Sequence, residues 1–383
     1  MKKIGLLVNP IAGMGGRVGL KGTDGRDVLE KAISLGAVQE APEKAKKALN
    51  KVVELKNKFK IYTASGLMGE VTVKGKDAFD YVNHLITNDL TTIGDGQVIY
   101  SLLCNEKGGV VDDLLVYRKG QDDMYIVVNA ANTDKDFAWF LAQKGNYDVE
   151  IKNISAETAQ IALQGPKAEK VLQKLAKNVD LANDIKFFTF KENVTLGDCG
   201  DKFLVSRTGY TGEDGFEIYG CGECMNKLWD AILEIGKEDG VKPCGLGCRD
   251  TLRFEAALPL YGNEMDDVIT PLEASLGYFV KLKQEADFIG KEALSKMKEA
   301  GVPRKLIGLE LKGKGIARHG AKVFKGDEEI GFVTTGYLSP TLGKTIANVI
   351  VKTEYAEVGN EVEVELRNKR VPAVLISKKF LKK

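Results

Sequence analysis

A chain of 383 residues exceeds what one hydrophobic core usually organises, so two or three packed domains are expected. Hydrophobic residues make up 44% and charged residues 28%, which excludes a fibrous or wholly disordered chain. With 55 Lys and Arg against 54 Asp and Glu, the net charge of +1 excludes the broad basic field that gathers nucleic acid or acidic membrane.

The first element in chain order is a strand at residues 3–8, ended by Asn9-Pro10. Its apolar run, Ile4 to Val8, is too short for a signal-peptide core or a membrane span, and the chain reads as cytoplasmic. Glycines 13, 15, 16, 19, 22 and 25 follow. A Gly-rich loop after a strand lets backbone N–H groups approach a phosphate. The spacing matches neither phosphate motif: Gly-Lys-Ser/Thr is missing and Val18 stands where a third fingerprint glycine belongs. Helices are expected at 27–35 and 42–58, the latter from the spacing of Ala45, Ala48, Leu49, Val52 and Leu55, then a second parallel strand at 59–63. With its Asn9-Pro10 ending and the loop from Gly13 to Gly25, this Rossmann-like β-α-β segment resembles the N-terminus of the ATP–NAD kinase-like family. The Gly-Asp-Gly-Thr motif of such kinases is missing, so no kinase activity is expected from it.

After Met68 the pattern becomes α+β. Runs at 98–104 and 110–118 flank Gly108-Gly109 and read as a hairpin. From Arg304 short strands dominate, at 305–311, 330–335, 346–351 and 361–366, which reads as a small antiparallel barrel or sandwich. Cys104, Cys199, Cys221, Cys224, Cys244 and Cys248 are too sparse for a disulfide framework. Cys221/Cys224 and Cys244/Cys248 resemble a zinc-ribbon spacing only loosely, and four reduced, partly buried thiols are the expectation. His84 and His319, the only two histidines, stand without a neighbouring carboxylate motif, which gives a Ser-His-Asp triad or a His-rich metal site little support.

Three segments carry chemistry. Asp112-Asp113 lies inside an apolar strand, whose alternation sends the two carboxylates to opposite faces, one of them into an interior or pocket. An edge-strand pair facing water is the alternative, and spacing does not choose between the two aspartates. The run from Arg207 to Glu217, with three glycines, two aromatics and three acids, suits a loop whose aromatics flank a planar ligand while a carboxylate accepts from ring N–H groups. A surface hairpin is its alternative. The run from Gly245 to Glu255 opens with a Gly turn and continues as a helix, with Arg249 and Arg253 on one face. They could meet an anionic tail or pair with Asp250 and Glu255.

These segments, with Tyr100 to Gly109, Met68-Gly69-Glu70, Leu85 to Asp89, Val128 to Asn132, Leu163 to Pro166 and Ser339 to Gly343, resemble the glycine cleavage T-protein family in order and spacing, from about residue 67 to 380. The resemblance implies a folate-binding aminomethyltransferase domain at 67–295 and a C-terminal antiparallel β-barrel domain at 296–383, behind the kinase-like segment at 1–66. It also implies an enzyme that moves an aminomethyl carbon from the lipoyl arm of an H-protein to tetrahydrofolate, releasing ammonia. Tetrahydrofolate enters as co-substrate, and no metal, nucleic acid or membrane is called for. By the same resemblance Asp113 is the catalytic carboxylate, Glu217 holds the pterin edge, Tyr100 and Tyr210 line its faces, and Asn129, Arg249 and Met68 complete the folate site. Two departures stand out. The family's first strand and helix are replaced, with Leu67 in place of a histidine, and its Pro-Phe-Tyr finish becomes Lys379-Phe380-Leu381. The competing readings are a folate-binding but inactive chimera and a folate-binding relative serving iron–sulfur assembly. Against the latter, Asp287 occupies its cysteine position.

Overall fold

The structure is a computed structural model that describes residues 2–5, 59–62, 69–200 and 202–381. It divides into two compact units, Met1–Ser65 and Gly66–Lys383. In the first, β1 (Lys2–Gly5) and β2 (Phe59–Tyr62) pair in parallel from Lys2↔Phe59 to Gly5↔Tyr62, the pairing expected of a second parallel strand. The expected helices at 27–35 and 42–58, the loop from Gly13 to Gly25, and Met68 lie outside the described residues.

The second unit begins with a five-stranded sheet in the order β4-β5-β6-β3-β7. Its strands are β3 (Gly69–Lys74), β4 (Gln97–Cys104), β5 (Val110–Gly120), β6 (Asp123–Val128) and β7 (Glu150–Asn153). β4 and β5 form the expected hairpin, in register from Gln97↔Arg118 to Cys104↔Val110. Helices α1 (Ala78–Leu85) and α2 (Thr133–Ala142) cover one face, where Tyr81, Val82, Leu85 and Phe140 pack on Val71, Val73, Val116 and Ile126. A second sheet, β8-β11-β10-β9, is built from β8 (Ala159–Gln164), β9 (Phe190–Val194), β10 (Phe203–Ser206) and β11 (Gly215–Gly220). Helices α3 (Ala168–Gln173), α4 (Leu181–Asp184) and α5 (Gly222–Ile235) bring Val171, Leu172, Leu181, Leu228 and Ile232 to its core.

The other faces of the two sheets meet through Val98, Tyr117, Tyr125, Val127, Phe190, Leu204 and Tyr219. Of the three tyrosines buried there, Tyr117 and Tyr219 find partners for their hydroxyls, while Tyr125 Oη has none among the described residues. Tyr117 Oη lies 3.1 Å from Ser206 Oγ and 3.0 Å from Tyr219 Oη, so the seam is sealed by a polar knot as well as by area.

After α6 (Leu246–Glu255) and α7 (Lys291–Ala300), six strands close into an antiparallel barrel in the order β12-β15-β14-β13-β16-β17. These are β12 (Arg304–Leu311), β13 (Lys322–Lys325), β14 (Glu328–Leu338), β15 (Thr345–Lys352), β16 (Glu361–Leu366) and β17 (Lys369–Ile376). Of the two architectures the sequence allowed, closure selects the barrel and leaves it no free edge, since β17 pairs back onto β12 from Gly308↔Ile376 to Leu311↔Ala373. The barrel is joined to the first sheet by apolar contact of Leu102, Val110, Met265 and Ile269 with Leu306 and Ile350.

One expectation fails outright. Cys221 and Cys224 are joined by a disulfide, and Cys244 and Cys248 are exposed, so four reduced, partly buried thiols is incorrect. The reason is helical geometry: Cys221 is the N-cap of α5 and Cys224 stands in its first turn, which brings the Cα atoms to 5.3 Å, within bonding reach. The same bond removes two of the four sulfurs a zinc ribbon would need.

Candidate functional site

A cavity of about 570 Å³ opens where the two sheets, α6 and the chain after the barrel converge. Tyr100, Asp113, Asn129, Tyr210, Glu217 and Arg249, six of the seven residues singled out in the sequence, line it together. The seventh, Met68, lies outside the described residues.

The acidic end is set by β5, which lies between β4 and β6, so the water-facing edge pair is excluded for Asp112-Asp113. Asp112 is fully buried and Asp113 faces the cavity. The expected segregation to opposite faces is incomplete, because one amide holds both: Asn129 Nδ2 donates to Asp112 Oδ1 at 2.9 Å and to Asp113 Oδ1 at 2.8 Å. The register of β4 against β5 shifts between Leu103 and Cys104, breaking strict alternation just before the pair. Asp113 Oδ2 accepts from Tyr100 Oη at 3.0 Å. Burial, and then the charge of Asp112, push the Asp113 carboxyl up to about 7, against the pull of the Asn129 and Tyr100 hydrogen bonds. Such a carboxylate, near half-ionised at neutral pH and aimed into a cavity, is suited to take and return a proton.

The run from Arg207 to Glu217 does close a hairpin, joining β10 to the antiparallel β11, but Thr208 and Glu217 are turned inward while only its tip is exposed. Glu217, on β11, is buried and accepts from Thr208 Oγ1 at 2.6 Å, while burial raises its proton affinity. Tyr210 donates its hydroxyl to the Pro259 carbonyl, which pins the ring on the cavity wall. Arg207 turns away to Asp214, at 2.9 and 2.7 Å, and Glu169. The loop lies close because Gln164 Nε2 donates to the Thr208 carbonyl. A Cβ on Gly209 would stand 1.9 Å from Gln164 Oε1, and one on Gly215 would stand 2.6 Å from Gln164 Cδ, so a side chain at either position would displace the Gln164 amide from the Thr208 carbonyl.

On α6 the two arginines part. Arg253 is fully buried and its guanidinium is spent on Asp250 and Glu264, at 2.7 and 2.8 Å. Arg249 forms no ion pair with a described residue, lies 4.8 Å over the Tyr210 ring and lines the cavity. Glu255, offered as a partner for these arginines, instead accepts from Ser339 Oγ and from Thr341, tying α6 to the end of β14.

Sequence reasoning missed Phe279, Lys378 and the hydrogen-bonding of Asp112. Phe279 meets Tyr100 edge-on with centroids 4.8 Å apart, and Lys378 Nζ reaches the Ser275 carbonyl at 3.3 Å. Neither stands in a local pattern that spacing rules recognise; long-range packing alone brings them to the cavity.

An aromatic cavity between two antiparallel sheets, with carboxylates at one side and Arg249 at another, is the kind of concave, mostly apolar site with a few convergent polar groups at which enzymes bind small molecules. The family model for the GCVT N-terminal domain matches residues 44–284, and that for the glycine cleavage T-protein C-terminal barrel domain matches residues 304–382. Curated aminomethyltransferases of Thermoanaerobacter sp. (strain X514) and Clostridium botulinum (strain 657 / Type Ba4) are 55% and 56% identical over 316 residues, 82% of this chain and 84% of each relative. The crystal structure of the glycine cleavage system aminomethyltransferase T from Bartonella henselae superposes with a TM-score of 0.75 at 30% identity, covering 82% of this chain and 84% of that one. The chain therefore belongs to the glycine cleavage T-protein family and is an aminomethyltransferase.

Proposed function

We propose that the cavity binds tetrahydrofolate and that the chain transfers to it the aminomethyl carbon carried on the lipoyl arm of an H-protein. The observation that carries this reading is the shared wall of Asp113, Asn129, Tyr100, Tyr210, Glu217 and Arg249. Glu217 supplies an acceptor for the N–H edge of a pterin, Tyr100 and Tyr210 supply ring faces, and Arg249 supplies charge for the carboxylate tail. In the reaction two folate nitrogens form bonds to the migrating carbon, whose bonds to sulfur and to ammonia break. The two protons leaving the folate nitrogens balance the thiol and the released ammonia, and no electrons are exchanged. Asp113 is the group placed to orient the attacking amine, accept its proton and face the positive charge on the iminium-like carbon. These steps call on no metal.

The same reading assigns residues 67–295 to the folate-binding domain and 296–383 to the barrel domain. Residues 1–66 remain a kinase-like segment by resemblance alone, without an expected kinase activity. Among the described residues no helix is long and apolar enough to cross a membrane. We place the enzyme in the cytoplasm; four of its cysteines are free and Cys221 and Cys224 are joined, so the thiols do not argue the compartment.

Purified chain given H-protein, glycine decarboxylase, glycine and tetrahydrofolate should form methylenetetrahydrofolate, and Asp113→Asn should abolish its formation. Isothermal titration with tetrahydrofolate separates binding from turnover. Heat without turnover would leave a folate-binding, inactive chain, and a folded protein that gives no heat would sink the assignment altogether.

A further inference from the structure

Asp136 has no part in the chemistry just described, yet among the described residues it is the buried carboxylate with both oxygens unpartnered. It stands in the first turn of α2, is 0% exposed, and neither of its carboxylate oxygens has a hydrogen-bond donor. The charged groups that face it are Asp112, Asp113 and Lys135. Lys135 Nζ stands 3.7 Å from Asp136 Oδ1, but it donates to the Val111 carbonyl and lies 3.8 Å over the Tyr261 ring, so its charge is divided. The carboxyl in contact with Asp136 is that of Asp112. Two ionised carboxylates are acceptors only and repel, whereas one proton between them makes a short, charge-assisted hydrogen bond.

We propose that Asp136 is a positioning residue that keeps a proton shared with Asp112, and thereby fixes Asp112 as the acceptor that aims Asn129 at Asp113. The contacts run in sequence. Asp112 Oδ1 accepts from Asn132 Nδ2 and from Asn129 Nδ2, both at 2.9 Å, and Asp112 Oδ2 accepts from the Asn129 backbone N–H at 3.3 Å. The same Asn129 Nδ2 bonds Asp113 Oδ1 at 2.8 Å. Were Asp136 ionised, three carboxylates would share one desolvated pocket with one divided ammonium, and Asp112 would be driven from Asn129. With the proton retained, Asp112 and Asp136 carry one negative charge between them. Burial first, and then Asp112, push Asp136 up to about 10, so the proton stays through the neutral range. Asp136 is not among the cavity-lining residues and reaches the reacting atoms only through Asp112 and Asn129.

The kinetic half of the test rests on the proposed function, and the spectroscopic half does not. Infrared spectra of the whole chain at about pH 8 should contain a protonated-carboxyl carbonyl band that Asp136→Asn removes. Glu70→Gln is the control, because burial also pushes Glu70 up to about 8. In turnover, Asp136→Asn keeps kcat within about twofold, since its amide donates to Asp112 at every pH, while Asp136→Ala lowers kcat about 10-fold with little change in KM for tetrahydrofolate. The parent enzyme loses kcat as pH approaches 10, and Asp136→Asn does not share that limb. A band insensitive to Asp136→Asn, or equal kcat losses in the Asn and Ala variants, overturns the proposal. If the Ala variant does not fold, the infrared band and the alkaline limb of Asp136→Asn decide. An enzyme without turnover removes the reading of the reaction but leaves the shared proton to the spectrum.

Discussion

At the scale of single residues, the cavity works by setting two carboxyl groups against their surroundings. Asp113 is half-buried on the cavity wall, desolvated beside the charge of Asp112 and still bonded by Tyr100 and Asn129, so its carboxyl is pushed up to about 7, out of the ordinary aspartate range. Its carboxylate is the active form, so kcat/KM should fall about 10-fold per pH unit below that point. A flat profile from about pH 5 to about pH 8 would remove Asp113 from the base role. The sign on stability is opposite. A carboxyl whose folded pKa is raised favours the fold while protonated, below its unfolded pKa, and that contribution is lost as pH rises through about 7. Asp113→Asn should therefore lose less stability than the parent between pH 6 and pH 8, measured by urea unfolding at about those two values.

At the scale of elements, α6 shows how one helix divides two like residues. Arg249 and Arg253 share a face by spacing, and spacing left open whether they meet a ligand or acids of the chain. One turn of depth separates their roles: Arg253 is fully buried between Asp250 and Glu264, while Arg249 reaches the cavity. Glu264 also accepts from Thr334 and Thr335 of β14, so the Arg253 pair ties helix to barrel. Arg253→Ala should cost ~3–5 kcal/mol of stability, because Glu264 is left as an uncompensated buried charge. Arg249→Ala should leave stability within ~0.5 kcal/mol and weaken tetrahydrofolate binding about 10-fold or more. Thermal unfolding and titration calorimetry on the two variants separate the roles, and a stability loss from Arg249→Ala as large as that from Arg253→Ala would contradict the division.

At the scale of the whole second unit, the barrel contributes more than a cap. The chain leaving β17 crosses back to the cavity, where Lys378, Lys379 and Leu381 form part of the wall and Phe380 packs against Phe254 and Ile346. The tail is therefore both wall and fastener. Ending the chain at Ser377 should weaken tetrahydrofolate binding about 10-fold or more through the missing wall, and lower stability by ~3–5 kcal/mol through the lost Phe380. Binding unchanged in the shortened chain would show that the tail is only a fastener.

What the sequence determined by itself is what local periodicity and residue chemistry encode. The β4-β5 hairpin follows from alternation around Gly108-Gly109 and the barrel strands from their short runs and turns; residue chemistry marked the Asp112-Asp113 pair and the runs 207–217 and 245–255, and the family resemblance chose Asp113, Tyr210, Glu217 and Arg249 within them. The tertiary structure decided what depends on residues distant in sequence. That Cys221 caps α5, so that its first turn closes a disulfide with Cys224, is a matter of helix phase. That Arg253 is a strut and Arg249 is not depends on Glu264 and on a barrel strand some eighty residues away. That Asp112 and Asp113 share one amide, with Asp136 behind them, needed the end of β6 and the start of α2 to be folded against β5. Alternation can say which face a side chain takes, but burial, ion pairing and proton affinity belong to the neighbours that only packing supplies.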